Sequence, residues 1–278
     1  MYCKLLTTLA VTCSLAAHAD RLNICTRNLS LVVSADEGRQ PEYVYFGSRL
    51  SDAESRALPV PRGGRMDAYP AYGLNCPVPA ALACRHADGN LSTQLVVTGT
   101  SQQGDLTTVR LRDPVYDLRV DLKYRALADV DMIEAWAEIT NGEKATVTLT
   151  GFASATLPIR HGDVWMSHLY GSWGNEGRVA EEPLRPGEIV VANRDGVRNS
   201  ATAHAELMFS LDGKARENSG RVIGAALCYS GNYRLRAITD DSDYHYLMAG
   251  IDEQNSEYHL RRGETFATPC LALTFSRE

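Results

Sequence analysis

The feature that most constrains this chain is a hydrophobic period of two. From Asp117 it reads Asp-Leu-Arg-Val-Asp-Leu-Lys-Tyr, which places Leu118, Val120, Leu122 and Tyr124 on one side and Asp117, Arg119, Asp121 and Lys123 on the other. Successive side chains of a strand point to opposite faces, whereas a helix would spread these four apolar residues around its circumference. The stretch therefore predicts a half-buried antiparallel strand. The same alternation recurs at Ala145, Val147 and Leu149 among Thr146, Thr148 and Thr150, at Tyr233, Leu235 and Ala237, and at Leu271, Leu273 and Phe275.

Turn chemistry separates these runs. Asn141-Gly142, between a strand ending near Ile139 and the threonine-rich strand, predicts a tight hairpin. Asp88-Gly89, Asp195-Gly196, Asp212-Gly213, Pro186-Gly187 and Gly263 punctuate the chain elsewhere. One short helix is predicted over 52–57, because Ser51 and Glu54 have capping-box spacing and Leu58-Pro59 closes the segment. Well over ten strand-like runs follow one another without a linker, a low-complexity segment or an internal repeat. The expectation is one large all-β domain of stacked antiparallel sheets. A (β/α)₈ barrel would suit the 278 residues but requires eight helices alternating with parallel strands, and the pattern excludes it.

The N-terminus reads as a processing signal. Met1–Lys4 carries one positive charge, Leu5–Ala17 is short and dominated by apolar and small residues, and Ala17-His18-Ala19 fits the small-x-small cleavage pattern. Residues 1–19 are thus expected to be a signal peptide and 20–278 an exported domain, periplasmic or secreted. Acylation of Cys13 is disfavoured by Thr12 before it. No stretch reaches the roughly 20 apolar residues that a membrane-spanning helix needs. A formal net charge of −6 without a basic run disfavours nucleic acid and anionic membrane surfaces as partners. Of the cysteines beyond Ala19, Cys76 and Cys84 flank Pro77-Val78-Pro79 closely enough to bridge. Cys228 and Cys270 sit in apolar patterns and are expected to be buried, and Cys25 makes the number odd.

Chemistry is sparse. There is no Gly-x-Ser-x-Gly elbow, phosphate-binding loop or Cys-x-x-Cys pair. His161 and Asp163 lie two apart and His245 stands between Tyr244 and Tyr246, but neither has a third ligand nearby, so no metal and no cofactor are expected. Asp240-Asp241-Ser242-Asp243 reads as a solvated turn. Thirteen tyrosines and three tryptophans outnumber five phenylalanines, so most rings carry a polar handle suited to sites where one face packs and an edge hydrogen-bonds.

Several segments, in order, resemble the N-terminal domain of glycoside hydrolase family 36. They are Tyr45-Phe46-Gly47 with Leu50, Tyr69-Pro70-Ala71-Tyr72-Gly73, and Asp131-Met132-Ile133-Glu134 leading through Trp136 to Asn141. Leu169 to Glu176 is similar to the family's Gly-x-Trp-x-x-Glu segment, and Leu227-Cys228-Tyr229-Ser230-Gly231-Asn232 to its Leu-x-Tyr-Ser-Gly-Asn. Gly250-Ile251 and Gly263 to Pro269 resemble its closing strands. The resemblance implies a β-supersandwich of the galactose-mutarotase-like kind, set before a catalytic (β/α)₈ barrel whose nucleophile lies in Lys-x-Asp. None of Lys4, Lys123, Lys144 and Lys214 has Asp two residues later, and the chain stops at Glu278, where such a barrel would begin. The expected role is therefore non-catalytic: no catalytic residue is assigned, and an α-galactoside is met through a barrel, within a homo-oligomer. Carbohydrate-contact candidates are Tyr69, Tyr72, Asn75 and Trp173, although Leu74 to Pro79 replaces the Asp-Phe-Arg-like segment that frames a neighbour's sugar site in many members. Two rival readings are a stand-alone carbohydrate-binding sandwich and an aldose-epimerase-like enzyme, which would need a histidine acid paired with a glutamate base.

Overall fold

The structure is a computed structural model that describes residues 21–61, 63–73, 78–160, 162–198, 202–254 and 256–277. The expected signal peptide, Asn75, Cys76 with its expected bridge, and His161 lie outside the described residues.

The chain opens with β1 (Arg21–Cys25), β2 (Leu29–Ser34) and β3 (Glu42–Ser48), which form a three-stranded antiparallel sheet. All six residues of β2 are buried, which explains why Leu-Ser-Leu-Val-Val does not alternate. Helix α1 (Asp52–Ala57) forms where its capping box predicts it. The Ser51 N–H donates to the Glu54 carboxylate at 2.8 Å and the Glu54 N–H to Ser51 Oγ at 3.3 Å. After β4 (Leu82–Arg85), strands β5 (Val96–Gln103), β6 (Leu106–Arg112), β7 (Leu118–Leu127) and β8 (Met132–Asn141) form a meander. In β7 the apolar residues Leu118, Val120, Leu122 and Tyr124 are all buried, as the period of two requires.

The remaining strands are β9 (Val147–Phe152), β10 (Ala155–Arg160), β11 (Trp165–Tyr170), β12 (Arg178–Pro183), β13 (Gly187–Asn193) and β14 (Ala203–Ser210). They continue through β15 (Arg221–Leu227), β16 (Tyr233–Thr239), β17 (Tyr244–Ile251), β18 (Tyr258–Leu260), β19 (Thr265–Ala267) and β20 (Leu271–Arg277). A ten-stranded sheet runs β12-β11-β14-β15-β20-β8-β7-β6-β5, with β19 also on β8. Smaller sheets run β10-β17-β16-β13 and β18-β9-β4. Thr268 joins β19 to β20, its Oγ accepting from the Ala137 N–H at 3.0 Å while its own N–H donates to Ala137 O at 2.9 Å.

The inner face of the long sheet meets the first sheet through Tyr43 against Tyr124, edge-on at 6.4 Å with their hydroxyls 3.2 Å apart, and through Phe46 against Phe275 at 6.5 Å. Buried residues of all four sheets form one core. The chain is an all-β antiparallel β-supersandwich, as expected.

Two local expectations are corrected. Asn141-Gly142 is not a hairpin, because β8 pairs with β7, β20 and β19 whereas β9 pairs with β4 and β18. The dipeptide carries the chain from one sheet to another. Gly142 donates its N–H to Asp117 O at 2.7 Å, and a Cβ there would come within 2.9 Å of that backbone oxygen and 2.3 Å of the Asp117 carboxylate. Cys228 is exposed and Cys270 half-buried rather than buried as expected. Both follow the parity opposite to Leu227 and Leu271, so the leucines point into the core and the thiols do not.

Asn141, fully buried, binds the crossover with its side chain. Nδ2 donates to Ala145 O at 2.9 Å and Leu260 O at 2.8 Å, and Oδ1 accepts from the Glu143 N–H at 2.8 Å. Asn141→Ala leaves two carbonyls and an amide without these partners and is expected to cost about 3 kcal/mol. Urea unfolding checks this; a midpoint equal to that of the unaltered protein would show that the crossover does not depend on this side chain.

Candidate functional site

Two of the four candidate sugar-contact residues, Tyr69 and Tyr72, lie in one loop. Within it, Asp67 and Ala71 form isolated bridges with Glu42 and Leu82, so the loop is anchored to β3 and β4. Tyr72 donates its N–H to Leu82 O at 2.8 Å and accepts from the Thr93 N–H at 2.8 Å. A Cβ on Gly73 would lie 2.7 Å from Thr93 O, so this close approach of two backbones requires glycine. The Tyr72 ring is left 55% exposed.

Tyr69 points the other way. It is 1% exposed, and its hydroxyl donates to Ala153 O at 2.8 Å. Its ring therefore fastens the loop to the segment after β9 and offers no face to a ligand, contrary to the expectation of a sugar contact. The Tyr69 N–H donates to the buried Asp67 carboxylate at 2.9 Å, and burial raises the Asp67 pKa to about 7. Asn75 lies outside the described residues, so the loop brings together Tyr69 as anchor and Tyr72 as exposed ring.

Beneath Tyr72 lies a polar cluster that the sequence did not reveal. His86 is buried, its Nδ1 2.7 Å from the Glu143 carboxylate and its Nε2 2.9 Å from Thr93 Oγ. Tyr116 stacks on the imidazole at 3.7 Å and 10°. The second Glu143 oxygen accepts from the Ala87 N–H at 3.1 Å. The free Cys84 thiol sits 3.8 Å from His86 Nε2 and 3.3 Å from Thr93 Oγ. Burial by itself would lower the His86 pKa, but hydrogen bonding and charge from Cys84 and Glu143 outweigh it and raise the pKa to about 9. Tyr116 in turn donates to the Asp88 carboxylate at 2.8 Å and accepts from Asn90 at 2.9 Å. His86 and Glu143 stand 57 positions apart at the ends of two strands, so no local spacing signals the pair. They are an acid and a base spent on each other in a buried site, not a pair flanking a substrate as epimerase chemistry would need.

Trp173 is 91% exposed at the tip of the β11–β12 hairpin. Reciprocal backbone bonds between Ser172 and Asn175 and a bond from the Gly174 N–H to the Glu176 carboxylate at 2.8 Å hold the tip. Beside it, Arg178 lies 5.4 Å over the Tyr170 ring. This hairpin ends the ten-stranded order at the side away from β5, whereas Thr93, the partner of Tyr72, leads into β5. Tyr72 and Trp173 therefore belong to separate surfaces.

The acidic run 240–243 is a turn between β16 and β17, as expected. Asp240 Oδ1 accepts from the N–H groups of Ser242 and Tyr244 at 2.8 and 3.0 Å, and its other oxygen pairs with Arg65, which lies 5.1 Å over the Tyr244 ring. His245 is buried with Nδ1 2.8 Å from Thr239 Oγ. Among the described residues no cluster of three metal-ligating side chains occurs, and no helix is long and apolar enough to cross a membrane. A cleft of about 580 Å³ opens between β3 and strands β15 and β20, walled by Tyr45, Phe46, Ile223 and Phe275. Among the described residues, Glu54 is the single carboxylate in its lining.

A ten-stranded sheet together with three smaller antiparallel sheets makes up an all-β supersandwich domain. Residues 39–261 match the model of the glycosyl hydrolase family 36 N-terminal domain, and the chain belongs to that family. Alpha-galactosidase 2 of Pediococcus pentosaceus is 24% identical over 246 residues, covering 88% of this chain and 31% of that protein. The bifunctional alpha-galactosidase/sucrose kinase AgaSK of Mediterraneibacter gnavus is 26% identical over 182 residues, covering 66% of this chain and 19% of its own. The crystal structure of the family 36 alpha-galactosidase AgaA from Geobacillus stearothermophilus superposes with a TM-score of 0.83 at 21% identity, over 93% of this chain and 41% of that one. Variants of that enzyme have been crystallised with stachyose and with raffinose. The chain thus spans well under half the length of these relatives and corresponds to their N-terminal domain.

The raised His86 pKa fixes a pH signature. The folded value lies above the ordinary 6.5, so the stabilisation is complete below that value and is lost as pH rises through about 9. Thermal melting across that window should show the midpoint falling on the alkaline side. Glu143→Gln should flatten this limb and cost about 3 kcal/mol on the acidic side, where a buried imidazolium loses its counter-charge. An unaltered alkaline limb in the variant would place the titrating group elsewhere.

Proposed function

We propose that this chain is the non-catalytic domain of an exported α-galactosidase-like glycoside hydrolase, which packs against a catalytic barrel, helps shape its galactoside site and supports oligomerisation. The observation that carries the reading is the match of residues 39–261 to the family's N-terminal domain, together with superposition of nearly the whole chain on less than half of a solved alpha-galactosidase. The missing Lys-x-Asp and the single carboxylate among the described residues of the cleft agree with chemistry performed by another domain. In this reading the Tyr72 loop is the element that reaches towards a sugar. Tyr69, the Ala71–Leu82 bridge and Thr93 hold it rigidly while the ring stays exposed. The short apolar run at 5–17 and the Ala-x-Ala pattern support export.

A second reading, a stand-alone carbohydrate-binding sandwich, draws on Trp173, whose nearly fully exposed indole offers a stacking face on a hydrogen-bonded turn. One set of experiments separates the two. The purified chain should release no nitrophenol from a nitrophenyl α-galactoside, and turnover that copurifies with the chain would overturn the accessory role. Under the accessory reading, calorimetric titration with raffinose at millimolar sugar is expected to be flat. Saturable binding that Trp173→Ala abolishes would establish the second reading in its place.

A further inference from the structure

We propose that Cys228 and Cys270 form a reversible cross-strand disulfide that staples β20, held between β15 and β8 in the long sheet, to its neighbour β15. The β15–β20 register runs from Arg221 opposite Arg277 to Leu227 opposite Leu271, and the next step sets Cys228 against Cys270. The ladder reaches that position, since the Cys228 N–H donates to Cys270 O at 2.8 Å. Directly opposed, hydrogen-bonded residues of antiparallel strands have Cα atoms about 5.5 Å apart. That separation matches the commonest one across a disulfide, about 5.5–6 Å, while the β-carbons of a hydrogen-bonded pair start wider than the roughly 3.8 Å of a relaxed bridge, so the bridge closes under strain. Both side chains project from the same face, on the parity opposite to the buried Leu227 and Leu271, so neither thiol has to cross the sheet to meet the other.

The four free thiols among the described residues divide cleanly. Cys25 is engaged by Ser30 Oγ at 3.3 Å and Asn23 O at 3.5 Å. Cys84 is buried against Thr93 and His86. Cys228 is exposed and Cys270 partly so, which leaves an exchange partner a route to this pair. Burial, followed by the charge of Glu134, holds both thiols above their ordinary pKa, so oxidation should quicken as pH rises. An exposed bridge of this kind belongs to the labile, reducible class rather than to inert structural disulfides.

The oxidant is a small-molecule disulfide such as glutathione disulfide. The Cys228 thiolate attacks one of its sulfurs and expels one glutathione thiolate, giving a mixed disulfide. The Cys270 thiolate then attacks the Cys228 sulfur and expels the second. Two protein thiols lose two protons and two electrons to form one S–S bond, and glutathione disulfide is reduced to two glutathiones.

The test uses the full chain, fully reduced and then equilibrated in glutathione redox buffers, with alkylation and peptide mass mapping. The expected product is a crosslinked peptide pair carrying Cys228 and Cys270, lighter by two hydrogens, reopened by dithiothreitol, while Cys25 and Cys84 stay alkylatable after unfolding. The oxidised form should melt at a higher temperature than the reduced form. In Cys228→Ser the crosslink should vanish and Cys270 should carry glutathione instead. Glutathione adducts on both cysteines of the unaltered chain without a crosslink, or two thiols unchanged in glutathione disulfide alone, would overturn the proposal whether or not the variant folds.

Discussion

The crossover at Asn141 is the constraint on which the rest of the structure depends. The chain passes from one sheet to another through Asn141 and Glu143, which are buried and whose backbone groups must find partners within the protein, before residues 144–146 return to the surface. Asn141 meets this demand with every polar group it has. Its N–H donates to Glu264 O, its carbonyl accepts from Gly263, and its side chain serves Ala145, Leu260 and Glu143. Five partners converge from three stretches of chain, so β8, the start of β9, β18 and the turn before β19 take up one arrangement together. The adjacent Gly142 lies where a Cβ would strike Asp117, so the strand entering β7 is drawn into the same knot. Loss of one side chain there would loosen the seam between sheets rather than a single loop.

The same knot explains how a charged pair comes to lie in the interior. Glu143 is held by Asn141 through its backbone and by His86 and Ala87 through its carboxylate. Burying an ion pair costs several kcal/mol of desolvation per ion, and its mutual attraction offsets that only when the remaining hydrogen-bonding capacity is filled. Here Thr93 and Ala87 fill it and Tyr116 covers the imidazole. The return is positional. Thr93 bonds His86 through its hydroxyl and Tyr72 through its amide, so the exposed ring is two hydrogen bonds away from a fixed buried pair. Arg65 and Asp240 pin the opposite end of the same loop to the β16–β17 turn. A loop held in this way can present a side chain to a partner without first losing conformational freedom.

Local signals in the sequence specify structure where the physics is local. The alternation in β7 and the reciprocal bonds of Ser51 and Glu54 depend on residues a few positions apart, and both appear as expected. Asn141-Gly142 misled because a turn-forming dipeptide specifies a bend and not the strand that follows it. Whether β9 folds back on β8 is decided by competition from β4 and β18, far away in sequence. The apolar neighbours of Cys228 do not bury it, because parity sends alternate residues outward even beside strands in the middle of a sheet. Tyr69 and Tyr72 shared one motif, yet three positions separate an anchor under the loop from a ring on its surface. His86 and Glu143 gave no signal at all, since their meeting is a product of the fold.

The carboxylates show why the reading points to chemistry outside this domain. A retaining or inverting glycosidase needs two carboxyl groups facing a sugar across a gap of several ångströms, one of them free to hold a proton. Four acids of the described residues are already engaged: Glu143 with His86, Asp240 with Arg65, Glu188 with Arg236, and the buried Asp252 with Arg194. Arginine partners hold a carboxylate ionised, as the lowered pKa of Glu188 beside Arg236 illustrates, and an ionised acid cannot protonate a leaving group. Among the described carboxylates Asp67 alone has its pKa raised to about 7, yet it lies in the core and is spent on the Tyr69 amide. Acids committed in this way hold loops and strands in place and are not free to pass a proton to a leaving group.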